Sequence, residues 1–127
     1  MTGKEAIRTD CAPEAVGPYS QGIRAGGLVF TSGQLPVANG GLIVDDIDYA
    51  TRCALANVEA VLGAGGASLA DVVKVTIFLT DMDDFAAVNA VYAESFAEPF
   101  PARSCVQVAR LPLGAPIEIE AIAAVIG

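Results

Sequence analysis

The chain has 127 residues, enough for one domain spanning 1–127 with a core that needs no crosslinks. Its 15 acidic and 7 basic residues give a formal charge of −8, which argues against nucleic acid, whose phosphates are bound by clustered Lys and Arg. The absence of histidine removes Ser-His-Asp and Cys-His catalysis and most transition-metal sites, and three widely spaced cysteines without a CxxC give neither a disulfide framework nor a zinc site.

The first segment, 5–9, reads as a short strand, and "CAPEAVGPY" (11–19) as a loop punctuated by Pro and Gly. "SQGIRAGGLVFTSGQ" (20–34) reads as a hairpin turning at "AGG", and the "NGG" of "PVANGGLIVDD" marks another tight turn. A first helix follows, capped by Asp45 or Asp46, with an apolar stripe of Thr51, Leu55, Val58 and Leu62 reinforced by Ala54 and Val61. The glycines of "GAGG" (63–66) end it. "DVVKVTIFLT" (71–80) is β-branched and reads as a central strand. A second helix opens at "DMDD", with Asp81 as cap and Asp84 at the positive dipole end, and its stripe is Phe85, Val88, Tyr92 and Phe96. Two last strands lie at 102–109 and 116–126, giving the order β-β-β-α-β-α-β-β.

That order predicts an α+β sheet with both helices on one face. Two helices cannot cover both faces, so the bare face is expected to meet other copies of the chain. The 54% hydrophobic content agrees, because it is spread along the chain and contains no run approaching the roughly 18–20 residues of a membrane helix. The opening "MTGKEAIRTD" has no apolar h-region, and the cysteines fit small buried hydrophobes in a reducing cytoplasm, so a cytoplasmic location is expected.

Arg103 stands out in "EPFPARSCVQVARLP", a cation inside a strand-like run. Alternation puts Arg103, Cys105 and Gln107 on one face of their strand, and Glu118 and Glu120 on one face of the last strand. If the two strands are neighbours, an Arg and a Glu can sit together, either as an ordinary cross-strand ion pair or as a catalytic pair. Tyr19 is either a loop aromatic packed on the core or a site residue. Ser32 and Gly33 end a strand where a glycine lets a ligand approach the backbone, or simply terminate it. Asn89 lies near the second helix's stripe and reads first as a packing amide.

Taken together, "APEAVGPYSQGI", "VFTSGQLP", "DVVKVTIFLTDMDDFAAVNAVYAESF", "PARSCVQVARLP" and "IEIEAIA" closely resemble the Rid (YjgF) family of reactive-intermediate enamine/imine deaminases, over residues 5–125. The resemblance implies a chorismate-mutase-like (ferredoxin-like) single domain with a mixed, mostly antiparallel sheet. It further implies a homotrimer with a barrel-like core and clefts between subunits. It implies hydrolysis of 2-imino acids or their 2-enamine tautomers, such as 2-aminoacrylate, to 2-keto acids and ammonia, with no cofactor or metal and a small-molecule imino acid as partner. By motif, Arg103, Glu118 and Tyr19 would be catalytic, and Ser32, Gly33, Asn89 and Cys105 would bind substrate. The guanidinium would hold the substrate carboxylate, and Glu118 would take a proton from the attacking water. The alternative is a non-catalytic trimer that binds small carboxylates or acts on misfolded clients.

Overall fold

A computed structural model describes residues 3–125; residue 126 of the expected last strand and the ends of the 1–127 domain lie outside them. The strands are β1 (Glu5–Ile7), β2 (Gly22–Ala25), β3 (Leu28–Thr31), β4 (Val37–Ala38), β5 (Gly41–Leu42), β6 (Val72–Leu79), β7 (Ala102–Gln107) and β8 (Ile117–Ala124). The helices are α1 (Ile47–Ala64) and α2 (Phe85–Ser95). Six strands form one sheet in the order β1-β2-β3-β8-β6-β7, antiparallel throughout except for β6 with β7, while β4 and β5 make a small separate hairpin. Asn39 and Gly40 turn that hairpin with positive φ, as the "NGG" signal requires.

Asp46, not Asp45, caps α1 by accepting from the Tyr49 N–H. The stripe of Thr51, Ala54, Leu55, Val58, Val61 and Leu62 is buried against the sheet, where Val29, Val75, Ile77, Leu79, Ile117 and Ile119 point towards it. Each fully buried aliphatic contributes about 1.5–3 kcal/mol, so this interface dominates the domain's stability. The C-terminus of α1 carries no basic residue of its own; Arg24 of β2 reaches across and donates to the Gly65 carbonyl at 2.9 Å. That cation offsets the negative end of the helix. Gly66, at φ 88°, leaves the room: a Cβ there would stand 2.8 Å from the Arg24 guanidinium.

Asp81 departs from expectation. It caps the 3-10 turn Met82–Asp84 through the Asp83 N–H, and α2 begins after that turn. Val88, Tyr92 and Phe96 are buried as the stripe predicts, but Phe85 is 36% exposed and belongs to a different neighbourhood.

Both helices lie on one face of the sheet. The other carries Ile23, Phe30, Phe78 and Ile122 with Lys74, Thr76, Glu118 and Glu120, only partly buried within the chain. The two-faced sheet read from the sequence is therefore present, with one face bare. Among the described residues no helix is long and apolar enough to cross a membrane.

Candidate functional site

The two strands are not neighbours, so the condition under which Arg103 and Glu118 could sit together is not met. Strand β6 lies between β7 and β8, with Val75 opposite Arg103 and Phe78 opposite Glu118. Side chains of directly paired residues share a face. Arg103 therefore points with Val75 to the helix face, whereas Glu118 points with Phe78 to the bare face. Alternation within each strand is a local pattern and holds, whereas strand order and register are non-local and the sequence leaves them open. The residues singled out from sequence fall into two groups on opposite sides of the sheet.

The first group is Tyr19, Ser32, Gly33 and Glu118, which line one cleft of about 650 Å³. After β3 the chain continues beside β8, where Gln34 exchanges backbone hydrogen bonds with Ile119 in both directions, at 2.8 and 3.1 Å. This lays Gly33 directly on the Glu118 carboxyl: a Cβ at Gly33 would stand 2.7 Å from Cδ and Oε2 of Glu118. Among the described residues, the Gly33 N–H donates to no group, so a backbone donor is available beside the carboxylate. Ser32 is held by its N–H to the Gln21 carbonyl and by its hydroxyl to the Ser20 carbonyl, leaving its oxygen lone pairs as acceptors.

Tyr19 is 51% exposed, so it is not a core aromatic; its oxygen accepts from the Val16 N–H at 3.4 Å, and its own proton is free to donate. Its loop is organised by Gln21, a residue that sequence reading passed over. The buried Gln21 amide donates to the carbonyls of Thr9, Ala12 and Pro13 and accepts from the Thr9 N–H. Only a hydrogen-bonding side chain in place of the strand residue expected there could have signalled it. Burial, and secondarily the Glu120 carboxylate, push Glu118 above the usual carboxylate range. Val16 and Leu113, 90% and 80% exposed, stand at the cleft's rim.

The second group is Arg103, Asn89 and Cys105, on the helix face at the sheet's edge strand. Arg103 Nη1 donates to Asn89 Oδ1 at 2.7 Å, and its Cζ lies 4.8 Å from the Tyr92 ring centroid and 5.6 Å from that of Phe85. Asn89 is thus a polar partner of the guanidinium and not a packing amide. Among the described residues Arg103 has no carboxylate partner, whereas Arg52 pairs with Glu94 on the surface. Cys105 follows on the same face, and burial raises its thiol above the ordinary value despite the opposing pull of Arg103, so it is a neutral thiol near pH 7. Among the described residues no cluster of His, Cys, Asp and Glu could hold a metal ion.

The chemistry on offer is a carboxyl poised to exchange protons, a free backbone donor and a phenol on one side, and an unpaired planar cation on the other. Residues 9–125 match the family model described as endoribonuclease L-PSP. The chain is 50% identical to a putative reactive intermediate deaminase, TdcF, of Escherichia coli K12 over 124 residues, covering 94% of this chain and 96% of that protein. It is also 50% identical to a 2-iminobutanoate/2-iminopropanoate deaminase of Salmonella typhimurium over 123 residues, covering 94% and 96%. Among solved structures, a putative endoribonuclease of Thermotoga maritima superposes with a TM-score of 0.92 at 50% identity, covering 97% of this chain and 98% of that one. Escherichia coli TdcF with bound serine superposes with a TM-score of 0.88 at 48% identity, covering 94% and 98%. Matched along nearly its whole length, the chain belongs to the YjgF/Rid family.

Proposed function

We propose that the chain is a hydrolytic deaminase of small 2-imino acids and their enamine tautomers, forming a 2-keto acid and ammonia. We propose further that each complete site joins the Arg103 group of one copy to the Glu118 group of another, in a homotrimer. The observation that carries the reading is the Arg103 guanidinium, fixed by α2 and left without a carboxylate of its own. A half-buried planar cation with free N–H groups fits a small carboxylate anion. Two of the relatives carry deaminase names, and one was crystallised with serine, a small amino carboxylate.

The reaction then proceeds with few groups. Arg103 holds the carboxylate, which places the adjacent imine carbon over Glu118. Ionised Glu118 accepts a proton from water as its oxygen bonds to C2, and the electron pair of C=N moves to nitrogen. The protonated carboxyl returns that proton to nitrogen, giving a neutral carbinolamine. Glu118 then takes the carbinolamine hydroxyl proton and passes it to the amino nitrogen as the C–N bond breaks, so that ammonia leaves and the keto group forms. A carboxyl raised by burial serves both directions better than one at its ordinary value. The Gly33 N–H and the Tyr19 hydroxyl are donors to the developing negative charge, and Ser32 an acceptor for the amine. Cys105, being a neutral thiol, supplies wall and weak donation, not a nucleophile.

An amino-acid oxidase that generates the imine in the presence of semicarbazide tests this directly. Wild type is expected to suppress semicarbazone formation, while Arg103→Ala and Glu118→Gln lose roughly 10²–10⁴-fold in rate. A wild type inert towards small, branched and aromatic imines refutes the enzyme. A Glu118→Gln variant with undiminished turnover removes Glu118 from the mechanism. The endoribonuclease description of the family model does not fit a chain of charge −8, which repels RNA.

A further inference from the structure

We infer that Tyr92 is a positioning residue for the Arg103 guanidinium, and that the cation so held presents its Nε–Nη2 edge to the substrate carboxylate. This rests on the reading of Arg103 as the carboxylate anchor. Phe85, Asn89 and Tyr92 stand at i, i+4 and i+7 of α2, one side of the helix, and all three touch the same guanidinium. Tyr92 is the deepest, 6% exposed, with its ring 4.8 Å from Cζ, and it is backed by Phe96 at 4.5 Å between ring centroids. The guanidinium thus rests on a buried ring packed against Phe96.

The Tyr92 hydroxyl does none of this. Among the described residues it is buried without a hydrogen-bond partner, and burial raises it above the ordinary phenol value, against the pull of Arg103. Tyr92 is therefore a neutral ring beneath a cation, and it is the ring face that Arg103 uses. Asn89 engages Nη1. Among the described residues, Nε and Nη2 donate to nothing, and they form the parallel pair of donors that a carboxylate accepts side-on. A guanidinium free to rotate would have to be ordered each time substrate binds; one stacked and tethered in advance does not.

The experiment measures kcat and KM for 2-iminobutanoate in wild type, Tyr92→Phe, Tyr92→Leu, Arg103→Ala and the double variant Arg103→Ala/Tyr92→Leu, each checked for native circular dichroism. Tyr92→Phe keeps the ring and is expected to hold KM within about twofold of wild type, while Tyr92→Leu raises KM roughly tenfold with a smaller change in kcat. Because Tyr92 acts through Arg103, the double variant is expected to be no worse than Arg103→Ala alone. If Tyr92→Leu fails to fold, Tyr92→Met, which fills a similar volume without a ring, takes its place. The inference is overturned if the folded Leu or Met variant keeps the wild-type KM, if Tyr92→Phe loses as much as Tyr92→Leu, or if the double variant shows additive losses. An Arg103→Ala protein with wild-type KM overturns instead the carboxylate-anchor reading on which the inference stands.

Discussion

Two effects, burial and one charged neighbour, act on the Glu118 carboxyl in the same direction. Its burial in the cleft disfavours the charged form, and Glu120, two residues along the same strand face, adds a like charge. Glu14 and Tyr19 line that cleft as well, β6 contributes the non-titrating Thr76 and Phe78, and Lys74 lies further along the same face. The proposed mechanism uses Glu118 as an ionised general base, so kcat/KM is expected to rise with pH through its raised value and then level off. Replacing Glu120 with Gln removes a repulsion that favours the protonated form. The acid limb of the profile should therefore move to lower pH, and Glu118→Gln should abolish the limb together with the activity. A pH profile of Glu120→Gln that overlays wild type would show that the two carboxylates do not communicate. The same residue scale explains why Arg103 needed the structure to be understood: its isolation from acidic side chains is not visible in a list of residues.

At the scale of elements, the strand end at Ser32–Gly33 decides where Glu118 can be. The Gly33 α-carbon lies against the carboxyl, and any Cβ would overlap it at 2.7 Å, closer than such atoms ever approach. Gly33→Ala is expected to swing Glu118 away and reduce kcat roughly 10²-fold, the scale of an ångström's misplacement at a reacting group, with the melting temperature little altered. Stopped assays alongside thermal unfolding would check it; full activity in Gly33→Ala would mean the carboxyl has room to work elsewhere. The elements themselves were largely legible. The α1 stripe, its glycine-rich end and the alternation of β8 are local patterns of period 3.6 and 2. What was not legible depends on distant parts of the chain: β6 inserted between β7 and β8, Arg24 crossing to the end of α1, Gln21 tying down its loop, and Asp81 capping a 3-10 turn before α2. Tyr92 appeared only as an apolar position, because periodicity reports that a ring is buried but not which cation lies on it.

For the whole molecule, the opposite orientations of Arg103 and Glu118 mean that, under the roles proposed for them, a single copy is chemically incomplete. The sheet separates them, so one substrate cannot touch both within a chain. The bare face and the exposed Val16, Tyr19 and Leu113 around the Glu118 cleft are the surfaces a second copy would cover. In a closed ring each interface is made of two different patches, one from each neighbour. In the proposed trimer, Arg103 of one copy and Glu118 of the next would then belong to the same site. Arg103→Ala and Glu118→Gln, each inactive alone, should consequently complement one another when unfolded, mixed in equal amounts and refolded together. An interface works when the copy giving the guanidinium carries Gln at 118 and the copy giving the carboxylate carries Ala at 103. Random assembly makes that combination at about a quarter of interfaces, so roughly a quarter of wild-type activity is expected from the mixture. Native mass spectrometry establishes that mixed assemblies have formed and how many copies each contains. Mixed assemblies without activity would place both groups' work inside single chains, and activity restored in a species of other than three copies would correct the trimer while keeping the shared site.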